Sequence, residues 1–327
     1  QSIDAEVLSL ARATPPEDDT DEYPPMNFKQ FDYLIALAQE GHFGRAAKRC
    51  NIAQPTLSTA IRRLEEELGV PIVMRGQQFI GFTAEGKRVL EWAERIAADQ
   101  GALVQELSEM RGSLHGRLRI GVVPTALPVV SRLTLPFCET YPDVTIAARA
   151  MSSLEIQQGL DNFEIDLGIT YLDNEPMPGV KSAPLYRERY CLIHSPAKNR
   201  KSAGATISWL RAAELPLCLL SPDMQNRRIV DAAFAAAGCR ATPQIETNDL
   251  ADLGLHVKTG KWAGIVPRHV LDMLDLPAGA EALDLIEPEI SYAVGLVVAD
   301  REPQPPTAKA MLALVDALGK GDIFARK

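Results

Sequence analysis

The sequence predicts an α/β multidomain protein: a small N-terminal winged helix-turn-helix head, one long helix, and a larger C-terminal region where strands and helices alternate. Three observations predict it. Between residues 28 and 68 apolar side chains recur at helical spacing in three short runs, and a hairpin signal follows. From 83 to 111 the helical pattern is unbroken. Beyond 117, apolar runs of strand length each lead into a helical pattern. A chain of 327 residues is long for one core and fits two or three folding units.

Hydrophobic residues make up 46% and charged residues 24%, a globular rather than a disordered or fibrous composition. No run approaches the roughly 18 apolar residues that a membrane helix needs, and the first residues lack the basic-then-apolar order of a secretory signal. The expectation is a cytoplasmic protein with no membrane partner. Cys50, Cys138, Cys191, Cys218 and Cys239 are an odd, scattered set without a C-x-x-C pair. That argues against a disulfide framework or a zinc site and leaves buried, inert thiols, unless two of them meet in space as a redox pair. No metal and no cofactor are expected.

The net charge of −9 looks wrong for a nucleic-acid binder until it is divided. Residues 1–25 hold seven acidic residues against Arg12, so the rest of the chain carries only −3. Acidic and proline-rich, that segment reads as a disordered extension, with Met26 as the functional start. Within 26–84, seven cations (Lys29, Arg45, Lys48, Arg49, Arg62, Arg63 and Arg75) face five acids. Local charge governs phosphate affinity, so DNA remains an expected partner.

In the head, Phe28, Phe31, Leu34, Ile35 and Ala38 share one helical face, and Gly41 ends that helix. A second helix spans about 43–49 with Phe43, Ala46, Ala47 and Cys50 inward. Asn51 occupies the turn, where a left-handed backbone is often needed. The third helix begins at Gln54-Pro55, with proline at a position whose N–H has no helical partner. It buries Leu57, Ile61, Leu64 and Leu68, and Gly69 caps it. Its other face carries Gln54, Thr56, Ser58, Thr59, Arg62 and Arg63, polar groups for base edges near the start and cations for phosphates near the end. An ordinary three-helix bundle with a solvated face would show the same polar stripe. Residues 71–75 and 79–83, joined by Gly76-Gln77-Gln78, read as a wing hairpin with Arg75 toward the DNA backbone.

Gly41-His42-Phe43-Gly44-Arg45-Ala46-Ala47, Gln54-Pro55-Thr56-Leu57-Ser58, Leu64-Glu65, Leu68-Gly69-Val70-Pro71, Arg75 and Phe82-Thr83-Ala84-Glu85-Gly86 follow one another in an order and spacing that resembles the signature of LysR-type transcriptional regulators. His42 departs from the Ser usual there, and Gln77 and Gln78 stand where a second basic wing residue is common. The resemblance implies DNA contacts from His42, Phe43, Arg45, Gln54, Pro55, Thr56, Ser58, Thr59, Arg62, Arg63 and Arg75.

Thr83 is positioned to cap a long helix reaching about Arg111. Leu90, Ala93, Ala97, Gln100, Val104 and Leu107 alternate three- and four-residue steps, and Val89, Ile96, Leu103 and Met110 repeat every seven. So wide an apolar face implies either a helical partner or packing on the chain's own domain. The resemblance implies the former: a linker helix that makes a dimer, with a tetramer as the family's habit. Gly112 and Gly116 mark a hinge.

Strands are expected at 118–123, 144–148, 166–170, 215–220, 244–247 and 262–267, each followed by a helix, which means a mainly parallel sheet with ligands at the carboxyl ends of its strands. The strand-to-helix corners supply Thr125, Ser152, Ser153, Thr170, Gln225, Asn226, Thr247 and Asn248. Free N–H groups at helix starts favour an anionic or carbonyl-bearing ligand, although each of these side chains could equally cap its own helix.

Gly121-Val122-Val123-Pro124, Phe137 with Tyr141-Pro142, Asp166-Leu167-Gly168-Ile169, Thr259-Gly260, Gly264-Ile265 and Pro267 resemble the LysR effector domain, which has the two-lobed fold of periplasmic binding proteins. That analogy adds Pro124, Ala126 and Pro267 to the effector set. It implies a head at 26–84, a linker at 85–116 and an effector domain at 117–327, with lobe I at 117–189 and 290–327 and lobe II at 190–289. Trp262 is a candidate to stack on the ligand or to fill core.

The function implied is a sequence-specific regulator, not an enzyme, whose small-molecule co-inducer binds between the lobes. Its partners would be double-stranded DNA, the effector, further copies of itself and RNA polymerase. No Gly-x-Gly-x-x-Gly, Walker A, His-Glu-x-x-His or Gly-x-Ser-x-Gly pattern supports an enzyme. A solute-binding protein leaves the head unexplained. A peroxide sensor of the same family needs two cysteines about nine residues apart, a spacing that is absent here.

Overall fold

The computed structural model describes residues 27–76, 79–195, 205–274, 276 and 279–318. The chain divides into two compact units, residues 1–97 and 98–327. The expected N-terminal extension and the wing-tip residues Gln77 and Gln78 lie outside the described residues.

The first unit contains α1 (Phe28–Glu40), α2 (Phe43–Arg49), α3 (Gln54–Leu68), a hairpin of β1 (Val73–Arg75) and β2 (Phe79–Phe82), and the start of α4 (Ala84–Met110). Asn27 and Gln30 form a capping box at α1, and Gly41 closes it with φ 58°. The buried face of α1 differs by one step from the expected one: Leu37 is fully buried, whereas Phe28 is 57% exposed because it sits in the first turn, beyond the reach of α2 and α3. Asn51 takes the left-handed conformation at φ 54°. The α3 core positions Leu57, Ile61 and Leu64 are fully buried beside Ala46 and Ala47. In α4, Ala93 is buried, and Val89, Leu90 and Ile96 pack on the same core.

The second unit is built on a ten-stranded sheet of two half-sheets that share one long strand. The first half holds β3 (Gly116–Val122), β4 (Val144–Ala150), β5 (Leu167–Tyr171) and β12 (Ser291–Ala299). The second holds β7 (Thr206–Ser208), β8 (Leu217–Leu220), β9 (Ile245–Thr247), β10 (Ala263–Pro267) and β11 (Glu281–Ile286). The shared strand β6 (Val180–His194) pairs with β12 as far as Arg189 and with β10 from Tyr190. Helices α5 (Leu127–Thr140), α6 (Ser153–Asp161), α7 (Trp209–Ala212), α8 (Gln225–Ala236), α9 (Leu250–Lys258) and α10 (Pro306–Leu318) complete the unit.

The mainly parallel expectation needs correcting. Pairs β3–β4, β3–β5, β7–β11, β8–β9 and β8–β10 are parallel, but β12 runs antiparallel to β5 and β6, and β6 antiparallel to β10 and β11, so the sheet is mixed. The strands overlooked from sequence are β6, β7, β11 and β12. β5 runs on to β6 and β11 to β12 with no helix between, so the strand-to-helix alternation does not reveal them.

Candidate nucleic-acid interface and effector cleft

In the head, Gln54, Pro55, Thr56, Thr59, Arg62 and Arg63 are exposed on α3, and Ser58 is half-buried. Among the described residues neither Arg62 nor Arg63 has an ion-pair partner on the chain. Arg45 is engaged, donating to the Glu40 carbonyl and lying 3.6 Å from its carboxylate, which also receives Arg49 at 3.2 Å.

The exposed His42 acts as the N-cap of α2: its Nδ1 accepts from Gly44 N at 3.0 Å and Arg45 N at 3.4 Å, the work a serine hydroxyl would do there. Phe43 holds the wing, its ring 6.1 Å from that of Phe79 in an edge-on contact. Glu65 ties α3 to the hairpin by accepting from Ile72 N at 2.9 Å and Val73 N at 3.0 Å. Arg75 ends β1. Thr83 accepts from Gly86 N at 2.8 Å and donates to Pro71 O at 2.6 Å, capping α4 while fixing the wing's base.

In the second unit the residues that meet are not quite those expected. Thr125 precedes α5, Thr170 and Tyr171 end β5, Tyr186, Glu188 and Tyr190 lie on one face of β6, Gln225 and Asn226 open α8, and His269 follows β10. Glu188 is fully buried at the centre. Tyr171 donates to its Oε2 at 2.8 Å, Tyr186 to Oε1 at 3.1 Å, and Tyr190 lies 3.2 Å from Oε2. Tyr171 in turn accepts from Asn226 Nδ2 at 3.3 Å and lies 3.0 Å from Thr125 Oγ1. His269 Nε2 donates to Thr125 O at 2.8 Å and stands 3.8 Å from Glu188 Oε1. Thr170 donates to Gln225 Oε1 at 3.5 Å, and among the described residues the buried Gln225 Nε2 has no hydrogen-bond partner.

Burial pushes the Glu188 carboxyl up to about 7, against the opposing pull of its tyrosine donors. The Tyr171 and Tyr190 phenols are also driven upward, by burial first and by the neighbouring negative charge second. Nearer the surface, Arg228 of α8 crosses to the other half-sheet, gripping Glu175 through Nε at 2.7 Å and Nη2 at 2.6 Å and reaching Ser153 Oγ at 3.2 Å.

Thr125, Thr170, Gln225 and Asn226 therefore converge. Pro124 and Ala126 flank Thr125, and Pro267 pairs with Tyr190. Ser152, Thr247 and Asn248 stand outside the cluster. Ser152 is an N-cap, exchanging bonds with Glu155 in a capping box, so its hydroxyl is spent on its own helix. Thr247 Oγ1 accepts from Asp249 N, and Asp249 caps α9, leaving Asn248 exposed. Trp262 precedes β10 and donates to Gln244, about 16 Å of extended chain from Pro267 at the strand's other end, so it does not line the cleft. Sequence reasoning missed Glu188, Tyr171, Tyr186, Tyr190 and His269. The signal was Tyr186-Arg187-Glu188-Arg189-Tyr190, a two-residue alternation that puts the tyrosines and the acid inward and both arginines out.

Residues 28–87 match the family described as bacterial regulatory helix-turn-helix protein, lysR family, and residues 111–319 match the LysR substrate binding domain. The chain belongs to the LysR family. It is a DNA-binding transcriptional regulator with an effector-binding domain. Among LysR relatives, the transcriptional dual regulator OxyR of Escherichia coli is 27% identical over 282 residues, which cover 85% of this chain and 91% of that protein. A full-length OxyR variant from Pseudomonas aeruginosa shares the fold at a TM-score of 0.70 and 24% identity, covering 90% of this chain and 94% of that one. Full-length CbnR in complex with its target DNA shares it at 0.65 and 24% identity, covering 89% and 99%.

All five cysteines of this LysR protein are free. Burial pushes the Cys191 thiol up to about 12 and that of Cys218 to about 11, away from the thiolate that reacts with oxidants.

Proposed function

We propose that this regulator reads DNA with the exposed face of α3, the start of α2 and the wing, and that a small molecule entering between the half-sheets controls it. His42, Phe43, Arg45, Gln54, Pro55, Thr56, Ser58, Thr59, Arg62, Arg63 and Arg75 form the DNA-binding set. Pro124, Thr125, Ala126, Ser153, Thr170, Gln225, Asn226 and Pro267 remain in the effector set, joined by Tyr171, Glu188 and His269. The head is 26–84, the linker 85–116 and the effector domain 117–327, with one lobe at 117–189 and 290–327 and the other at 190–289. The observation that carries the reading is the meeting of Thr125 and Tyr171 from one half-sheet with Asn226 and His269 from the other around a single buried carboxyl. A ligand that rearranges this cluster favours one lobe arrangement over another, which is what couples its binding to the DNA-bound state.

The second half of α4 supports a dimer: Leu103, Val104, Leu107 and Met110 are 56%, 62%, 47% and 79% exposed, an apolar stripe that a second copy would cover. Pairing of dimers into a tetramer, contact with RNA polymerase, a cytoplasmic location and the lack of catalytic activity complete the proposal. Among the described residues no helix is long and apolar enough to cross a membrane. Several relatives are named hydrogen peroxide-inducible genes activators. The upward-shifted Cys191 and Cys218 thiols are poor targets for such oxidation, while Cys138 is exposed; a bound effector is the reading favoured for this chain.

The test is binding of the full-length protein to DNA upstream of its own gene across a salt series. Selective, salt-sensitive binding is expected, and Arg62→Ala should lower the slope of log K against log salt by about 1. Binding that is indifferent to both salt and Arg62 would remove α3 from the interface.

A further inference from the structure

Glu188 is fully buried, yet among the described residues no Lys or Arg lies within ion-pair distance of it. Its partners are three tyrosine hydroxyls, the Thr125 hydroxyl and His269, the last at 3.8 Å and already donating to Thr125 O. The cations nearby are answered by other acids: Arg187 by Asp173, Arg228 by Glu175 and Arg268 by Asp284. Arg187 and Arg189, the sequence neighbours of Glu188, are exposed on the opposite face of β6. The centre of the cleft is thus an acid without a full-time counter-ion, ringed by phenol oxygens that can each accept as well as donate.

Such a site discriminates by charge. An anionic ligand would be repelled by the ionised Glu188 and would hold it in its protonated, uncharged form, whereas a cation would supply the carboxylate's missing partner. Metal ions are poorly suited, since among the described residues no group of three or more His, Cys, Asp or Glu side chains is placed to hold one. Access requires the half-sheets to part, and parting breaks the Tyr171–Asn226 and Thr125–His269 contacts that cover Glu188. We propose that the effector is an organic cation, an amine or guanidinium compound, whose charged head pairs with Glu188 as the two half-sheets part. This rests on the cleft reading above, and it replaces the anionic ligand that the helix starts suggested. The starts of α6 and α9 are capped by Ser152 with Glu155 and by Asp249, whereas that of α8 carries no side-chain cap, so the carboxylate probes below test an anion there.

Pairing with a cation requires the carboxylate, so binding must displace the proton that burial helps Glu188 to retain. With the carboxyl poised at about 7, up to about half a proton per site leaves at pH 7. The experiment is isothermal titration of the full-length protein at pH 7 with propylamine, putrescine and agmatine, and with propionate and succinate. Two buffers of different ionisation enthalpy report the proton.

At least one cation is expected to bind tenfold or more tightly than either carboxylate, with proton release. Glu188→Gln should weaken it at least tenfold and abolish the release. Silence of all three cations, preference for a carboxylate, binding without proton release, or equal binding to Glu188→Gln overturns the proposal. Thr125→Trp separates the two levels of the argument. If a carboxylate binds and Thr125→Trp blocks it, the cleft stands and the charge class falls. If binding of any probe survives Thr125→Trp, the cleft assignment itself fails.

Discussion

Glu188→Gln should stabilise this protein at alkaline pH and leave it nearly unchanged in mild acid. The folded protein holds the Glu188 proton up to about pH 7, while an unfolded chain loses it near the ordinary value of 4.5. Between those values the folded state binds more protons than the unfolded, so stability falls as pH rises through the window and the loss is complete above it. Two and a half pH units at 1.36 kcal/mol each come to roughly 3 kcal/mol. Glutamine fills the same volume, carries no charge and keeps a carbonyl for the tyrosine donors, so it does not suffer this loss. In a unit of this size roughly 3 kcal/mol moves the melting temperature by about 6–12 °C. Thermal unfolding of both proteins from pH 5 to 8.5 isolates the term, because other carboxylates titrate alike in each. A variant-minus-wild-type difference near zero at pH 5 that grows to several degrees at pH 8 is expected. A difference that is flat with pH, or a glutamine variant that is less stable at pH 8, would refute the burial argument.

Gly86→Ala should cripple the head: its Cβ would lie 2.0 Å from the Ile72 carbonyl oxygen, and a cost of about 3 kcal/mol or more should appear in urea unfolding. His42→Ala removes the α2 cap and should cost about 1 kcal/mol, whereas His42→Ser should retain most of it, read in the same assay. Leu107→Glu combined with Val104→Glu places charge on the exposed stripe of α4 and should shift the sedimenting species toward monomer. An unchanged oligomer would move the interface elsewhere.

Local features of the head were legible because they are written in consecutive residues. Gly41 and Gly69 end helices with a left-handed backbone, Asn51 makes the turn, and the three-residue and four-residue spacing of Leu57, Ile61 and Leu64 defines one buried face. The strand ends were legible for the same reason, and four residues named there, Thr125, Thr170, Gln225 and Asn226, meet at one place, although β5, which holds Thr170, leads into β6 and not into the expected helix. The function of His42 was not legible, since a histidine in sequence does not say which ring nitrogen will face a backbone N–H.

The sequence by itself determined the three helices of the head, the continuous long helix α4 and most of the strand-to-helix steps beyond it, all of which depend on short-range periodicity. Only the tertiary structure decided which polar side chains share a cleft. Glu188 lies 63 residues from Thr125 and 81 from His269 along the chain, and nothing local to any of them signals the others. They meet because β6 passes from one half-sheet to the other, carrying a Tyr-Glu-Tyr face into the gap. Burial there, a property of the assembled fold, turns an ordinary surface acid into a poised one.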